Sequence, residues 1–523
     1  MLKNKFVVAI LSGALCALAF APFYVFVAAI FSLSLLFFLL EKNSAGGVKT
    51  AAQIGFCYGF GYFLAGIYWI SISLLVDAEK FAWLVPFALT LIPAVLALYF
   101  AGLAACYHFV NKKFPHFANY QKVIIFSLLW LVFEMLRSVL FTGFPWNLLG
   151  YSLMFSNSTM QVASVFSVYG LTLLVALFCL TPALFFKNIS IAGAARGDKI
   201  FATLLIILFA GNFIFGYYRL QNKILVEDYT SKLRLVQGNI KQDLKWDPAQ
   251  KYRNFLKQFN ITNSANKAGV KLVIWSETAV PYIIDDNAEL LRQLQLAVPQ
   301  DGALITGALR AEYDGASRVA VKNVWNSVFA IGPSSILAHY DKHHLVPFGE
   351  YIPFAKYLPF IEKITDGAVG FGEGEGPQTI MAQGFSFSPL VCYEIIFPNK
   401  IIDKNNRPNL LVNVTNDAWF GSSTGPYQHF DMSKMRAVEY GISLARVANT
   451  GITGYINPLG QEVARINLNE TGFIDVNFIN KLDETIFSRF NFWPLGAMIL
   501  ALLLLLLTNF HHKNAGHKKI RRG

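Results

Sequence analysis

Eight apolar runs dominate the sequence, at 6–20, 23–40, 54–76, 82–108, 123–141, 161–185, 200–218 and 493–509. A helix needs about 20 mostly apolar residues to cross roughly 30 Å of hydrocarbon. A chain with this many such runs is expected to build a bundle of membrane helices. The first run is short and only Pro22 separates it from the second, so the two are expected to form a tight hairpin. The leucine-only stretch 502–507 makes the last run the plainest. Composition agrees: charged residues are 15% of the 523, against about 25% in average soluble proteins.

The charges between the runs set an orientation. With the N-terminus inside, the short loops on that side carry Lys42, Lys49, Lys112, Lys113, Lys122, Lys187, Arg196 and Lys199. The tail adds Lys513, Lys518, Lys519, Arg521 and Arg522, while Lys80 is the one clear base in the short loops opposite. Basic loops stay cytoplasmic, which puts the long stretch before the last run outside; in a bacterium that is the periplasmic face of the inner membrane. The expected division is a membrane domain at 1–218, an external domain at 219–490, an eighth helix at 491–510 and a basic cytoplasmic tail at 511–523. Lys3, Lys5 and the Ala17-Leu18-Ala19 triplet resemble a cleavable leader. Apolar character resumes at once after Pro22, however, and the charge pattern needs the first helix retained. The net charge of +12 is thereby a topology signal; no zinc-finger spacing or stacking motif supports nucleic-acid binding. Within the fifth run, Glu134 and Arg137 share a helix face and are expected to pair, holding the bundle or shaping a lipid entry.

Between the seventh and eighth runs the texture changes. Short Val- and Ile-rich runs alternate with amphipathic stretches, notably 246–267 and 431–440. This is an α/β pattern with a buried sheet. Several strands end in polar residues: Lys271–Trp275 runs into Ser276-Glu277, a strand at 335–338 leads to Lys342, and 385–391 runs into Cys392. Functional groups collect beyond the carboxyl ends of such strands.

Of five cysteines, Cys16, Cys57, Cys106 and Cys179 lie in apolar runs, and only Cys392 lies in the soluble stretch. With no soluble partner, it is a candidate reactive thiol or else a buried packing residue. A thiol becomes a good acyl nucleophile once it loses its proton. Glu277 is the candidate base, with its carboxyl raised by desolvation. Lys342, with a backbone N–H after Cys392, is the candidate support for a tetrahedral oxyanion, and it also favours the thiolate. Glu350 is expected to orient Lys342 or help move a proton. Taken singly, a strand-end Glu is more often structural and a lone Lys more often a solvated surface group.

Three segments taken together resemble a known family. Trp275-Ser276-Glu277-Thr278-Ala279-Val280-Pro281, Tyr340-Asp341-Lys342 through Pro347-Phe348-Gly349-Glu350, and Cys392-Tyr393-Glu394 are similar to the Glu-Lys-Cys set of the nitrilase (carbon-nitrogen hydrolase) superfamily. Inside this membrane frame, the resemblance is to its membrane-bound apolipoprotein N-acyltransferases. Further matching segments are Val236-Gln237-Gly238-Asn239-Ile240, Asn416-Asp417-Ala418-Trp419-Phe420-Gly421 and Gln428-His429. The resemblance implies eight membrane helices carrying an inserted nitrilase-like αββα sandwich. It implies a phospholipid as acyl donor and a diacylated apolipoprotein cysteine as acceptor, linked by a thioester on Cys392, with no cofactor or metal. A one-chain site implies a monomer.

The resemblance also gives Glu350, Tyr393 and Glu394 supporting roles, with packing as the competing role for the last two. Trp246 matches a family tryptophan near the site; it lines a substrate passage or anchors a core. The aromatic stretch 351–364 and the Gly-rich 367–376 suggest an apolar arm on a flexible loop, or a rigid structural loop. After Glu439-Tyr440-Gly441 the chain has Ile442-Ser443, where the family often carries a basic residue and proline. That departure leaves the local loop shape open. The rival functions are a membrane-tethered amidase, in which water resolves the thioester, and a lipid-binding scaffold without catalysis.

Overall fold

The computed structural model describes residues 4–185, 195–284, 287–314, 320–352 and 370–507. Lys187, most of the aromatic arm expected at 351–364, Gly367 and the basic tail lie outside those residues.

Each apolar run forms helix. The helices are Lys5–Cys16, Phe26–Lys42, Gly47–Ile67, Val85–Lys113, Asn119–Arg137, Ala163–Cys179, Arg196–Asn222 and Trp493–Leu507. Five helical stretches among the described residues are long and apolar enough to cross a bilayer: Ser44–Leu75, Ala78–Lys113, Asn119–Arg137, Ala163–Phe185 and Arg196–Asn222. They match the third to seventh expected spans. Lys5–Ala19 and Trp493–Leu507 are apolar but shorter, and Phe26–Lys42 has 17 residues. The count of eight crossings is therefore not reached by length and composition alone.

The first two helices pack as a hairpin, joined by reciprocal bonds: the Ser12 hydroxyl donates to the Ser32 carbonyl at 2.9 Å, and the Ser32 hydroxyl to the Ser12 carbonyl at 2.6 Å. Gly13 lies against the Tyr58 carbonyl, where any side chain would clash. Small residues let membrane helices approach this closely. At the basic end, Glu41 accepts from Lys122 at 2.6 Å and from Tyr107 at 2.8 Å. Glu134 and Arg137 do not form the expected ion pair. Glu134 accepts from Trp130, the Leu149 amide and Thr172, while Arg137 donates to the Phe144 and Trp146 carbonyls. Both charges thus fasten the loop after their own helix, because its backbone groups lie nearer than they do to each other.

The long insertion folds as two sheets. Its strands are β1 (Glu227–Gln237), β2 (Val270–Ile274), β3 (Val280–Ile283), β4 (Ala303–Asp314), β5 (Ala320–Ile331), β6 (Ile336–Asp341), β7 (Ile380–Ala382), β8 (Phe385–Val391), β9 (Leu410–Thr415), β10 (Ser443–Ala448), β11 (Thr453–Ile456), β12 (Glu462–Ile466) and β13 (Gly472–Ile479). One sheet runs β13-β1-β2-β4-β5-β6 with β3 beside β4; the other runs β12-β11-β10-β9-β8-β7. The central pairs β1/β2, β2/β4, β8/β9 and β9/β10 are parallel. Parallel strands covered on both faces read as continuous apolar runs, which is why β2 and β9 were plain in the sequence.

Leu233, Leu272, Ile274, Phe387, Val391, Val412 and Val447 fill the space between the sheets. Helices Lys251–Asn263 and Ala288–Gln295 cover the first sheet through Phe255, Leu290 and Leu294. The other face of the second sheet, through Leu390, Leu411 and Leu444, belongs to the same core as Tyr62, Trp130 and Leu149 of the membrane helices. Helix Gly425–Tyr440 lies within that shared core and is buried almost throughout. It begins six residues ahead of the expected 431.

Candidate active site

Glu277 follows β2, Lys342 directly follows β6, and Cys392 directly follows β8. All three line one cavity of about 1220 Å³. Parallel sheets leave the space beyond their carboxyl ends free for such groups. β6 runs on to Asp341, further than the sequence suggested, because it stays paired with β5 as far as Ser327. This extension carries Lys342 to the cavity.

Cys392 has a left-handed backbone, with φ of +51°. A non-glycine residue is strained there and needs its surroundings to hold it. The holding groups are in place. Glu394 accepts from the Val391 amide at 2.7 Å. His429 Nε2 lies 3.2 Å from the Cys392 carbonyl oxygen, and its Nδ1 lies 2.9 Å from Asp417. Asp417 also accepts from Arg446 at 2.7 Å.

The electrostatics favour a neutral thiol at rest. Burial pushes Cys392 up to about 12; Glu277 adds to the rise, and Lys342 opposes it. The lysine favours the thiolate, as the sequence suggested, but burial outweighs it. Burial likewise raises Glu277, against the pull of Lys342 and Lys245 and despite an Asn326 bond. Burial works against the Lys342 charge, yet Glu350, Glu277 and Cys392 together hold the amine protonated. Burial thus weighs against a standing thiolate at this position.

The supporting residues divide by what they touch. Glu350 pairs with Lys342 at 2.8 Å and accepts from the Val346 amide at 2.8 Å. Asn326 Nδ2 donates to Glu277 at 2.7 Å and to Glu350 at 3.2 Å, linking the two carboxylates. Tyr393 lines the cavity and donates to the Gly143 carbonyl at 2.7 Å. Glu394 is fully buried and does not line it. It accepts from Tyr340 at 2.9 Å and from the His343 amide at 2.7 Å, as well as from Val391. It thereby braces the strand end bearing Lys342 against the one bearing Cys392. Trp246 is half-buried and lines the cavity, which argues against a core anchor.

Sequence reasoning missed Asn326 and Lys245; it named the segments holding Asp417 and His429 but gave these two no role and did not join them to Arg446. Asn326 is one polar residue inside a long strand, and nothing in its neighbours marks it. Ile442 and Ser443, the departure from the family pattern, close helix Gly425–Tyr440 and begin β10 away from the cavity lining. At the far end of the Gly-rich run, Gly372 N donates to the Val324 carbonyl at 2.7 Å and Gly374 N to the Lys342 carbonyl at 2.9 Å. A side chain on Gly374 would strike the Asp341 carbonyl.

The cavity does not end at the polar groups. It runs on to Leu91, Ile92, Val95 and Leu96 of helix Val85–Lys113, and to Phe141 and Phe144. A nitrilase-like pocket that opens onto membrane helices narrows the comparison to proteins with both parts. Residues 12–181 match the model of the apolipoprotein N-acyltransferase N-terminal domain, and residues 232–481 match that of carbon-nitrogen hydrolase. Curated apolipoprotein N-acyltransferases align along nearly the whole chain. The Rickettsia prowazekii protein is 36% identical over 98% of both chains, and that of Allorhizobium ampelinum 36% over 95% of both. That of Rickettsia bellii is 40% identical over 92% of this chain and 93% of its own. This chain belongs to the apolipoprotein N-acyltransferase family. As a member it is a membrane protein and an acyltransferase, and the amidase reading is not favoured. Among solved structures, an amidase from Nesterenkonia sp. aligns with 49% of this chain and 92% of its own, at 19% identity and a TM-score of 0.35. Within the apolipoprotein N-acyltransferase frame, the carbon-nitrogen hydrolase match encloses Glu277, Lys342 and Cys392.

Proposed function

We propose that this enzyme moves an acyl chain from a membrane phospholipid, through a thioester on Cys392, to the α-amino group of a diacylglyceryl-cysteine at the start of an apolipoprotein. The observation that carries the reading is the continuity of one cavity from Cys392 to the aliphatic flank of helix Val85–Lys113. Leu91 and Val95 on that flank are 57% and 59% exposed. In a bilayer such side chains face lipid, so an acyl chain has an apolar path to the thiol.

Glu277 takes the Cys392 proton as sulfur attacks the ester carbonyl. Lys342, with the amide after Cys392, stabilises the oxyanion. The ester C–O bond breaks, and the lysophospholipid leaves with the proton held by Glu277. The incoming amine then attacks the thioester and gives a proton to Glu277. The C–S bond breaks, an amide forms, and sulfur regains its proton. Glu350 and Asn326 hold Lys342 and Glu277 at fixed positions, and Trp246 and Tyr393 form walls for the substrates. Preorganised charge of this kind supplies most of the benefit at an oxyanion.

The arrangement in the cell follows from the charge pattern: a membrane domain at 1–218, a periplasmic catalytic domain at 219–490, an eighth helix at 491–510 and a cytoplasmic tail. Glu41 and Lys122 meet beside Asn111, late in helix Val85–Lys113, while the cavity reaches Leu91 and Val95, early in that helix; this separation supports the orientation. One chain carries every group in the scheme, so the working unit is a monomer. Supplying phospholipid and a diacylated cysteine peptide tests the whole reading. N-acyl peptide is the expected product; free fatty acid as the sole acyl product would refute transfer.

A further inference from the structure

The charge balance of the site is incomplete with the groups used so far. Lys342 is committed to Glu350 at 2.8 Å. Glu277 and the thiolate forming on Cys392 then share whatever positive charge remains. A second buried cation stands beside the Glu277 turn. Lys245 closes the short helix Gln242–Lys245 and is 3% exposed. Its amine donates to the main-chain carbonyl of Glu277 at 2.9 Å. Burying an ammonium is costly unless opposite charge lies close, and the groups that favour its charge are Glu277 and Cys392.

With Lys245 counted, two cations stand against two carboxylates and a neutral thiol. Passing the Cys392 proton to Glu277 leaves that sum unchanged. Without Lys245 the same transfer places a thiolate in a buried site that already carries a net negative charge. Its neighbours in the chain belong to the site: Trp246 and Gln242 line the cavity, and Gln242 accepts from Asn416 at 2.6 Å.

We infer that Lys245 is a positioning residue for acylation: it pins the Glu277 turn through the main-chain carbonyl and supplies the second cation for Glu277 and Cys392. This deepens the proposed function and rests on Glu277 being the base. Burial lowers the Lys245 amine to about 8, which leaves it mostly protonated near neutrality.

The test measures acyl-enzyme formation against pH, using the full-length enzyme in detergent micelles with phosphatidylethanolamine. Lys245→Gln keeps a hydrogen-bond donor and removes the charge. It is expected to slow acylation and move the acid limb of the rate profile upward by about one pH unit, with KM for phospholipid unchanged. The direction follows because a carboxylate that loses a nearby cation binds its proton more tightly. Lys245→Arg is expected to keep the limb where the wild type has it. A Lys245→Gln limb that coincides with wild type overturns the inference, as does an equal shift in Lys245→Arg. If Lys245→Gln does not fold, Lys245→Met takes its place in the same comparison. Glu277→Gln separates the two levels. If it acylates normally, the base assignment falls and this inference with it. If it is inactive while Lys245→Gln is unshifted, only the role of Lys245 is lost.

Discussion

The side-chain oxygen of Gln428 lies 2.7 Å from the indole nitrogen of Trp146, joining the catalytic insertion to the loop that Arg137 and Glu134 hold in place. Trp69 donates to the same oxygen at 3.2 Å. The next residue, His429, reaches the Cys392 carbonyl. The loop tryptophan and the strained backbone of the candidate nucleophile are thus held by two adjacent residues of one buried helix.

Gln428→Leu removes the acceptor and leaves two buried indole N–H groups unpaired. Such a change costs about 1–3 kcal/mol for each orphaned group. The expected result is a lower Tm in detergent together with slower acylation. An unchanged Tm would mean the bond carries no stability.

Lys342→Met is expected to slow acylation by about 10²–10³-fold, the usual effect of losing one oxyanion support. It also leaves the Glu350 carboxylate without its cation, with only the Val346 amide and Asn326 as partners, and breaking a buried pair destabilises by about 3–5 kcal/mol. The double variant with Glu350→Gln is expected to recover stability without recovering acylation. Recovery of both would reduce Lys342 to a structural cation.

Acid is expected to stop the chemistry before it unfolds the domain. Burial raises Glu277 above the ordinary carboxylate range, so lowering the pH protonates the base first. Asp417 has the opposite sign. Burial opposes its charge, but Arg446 and His429 outweigh that and hold it at about 2. Its stabilising contribution is full above the unfolded value near ~3.9 and is lost only as pH falls through about 2. Acylation rate and tryptophan fluorescence, followed over the same pH series, should therefore lose activity first. Simultaneous loss would contradict these assignments.

Trp246→Ala opens one wall of the cavity. The expected change is a higher KM with a smaller effect on kcat. A drop in Tm with KM unchanged would instead make Trp246 a packing residue.

Glu277 and Cys392 were legible because each closely follows a short apolar strand and differs sharply in chemistry from it; Lys342, preceded by His339, Tyr340 and Asp341, became legible only together with them. The two sheets were legible for a related reason: β2 and β9 are buried on both faces and read as short, mostly apolar runs, broken by Lys271 in one and Asn413 in the other. Of helix Gly425–Tyr440 the amphipathic part from 431 was legible but its burial was not, since His429, Asp431, Arg436 and Glu439 look like a solvated face. They are buried because membrane helices cover that side: Arg436 donates to Tyr151 at 3.0 Å, and Glu439 accepts from Ser167 at 2.7 Å. Such partners lie hundreds of residues away in sequence and leave no local signal. Lys245 was hidden likewise: it lies just ahead of the amphipathic stretch 246–267, and nothing in its neighbours signals that it is buried. Glu134 and Arg137 misled in the other direction: their spacing suggests a pair, but the following loop offers both a nearer set of partners.

The central claim is that Cys392 carries the acyl chain between two substrates. Intact mass of the enzyme after incubation with phospholipid alone tests it most directly. The account predicts one added acyl mass, removed by hydroxylamine, mapped to Cys392 and absent from Cys392→Ala. An acyl adduct that persists in Cys392→Ala, or one that maps to another residue, would contradict it.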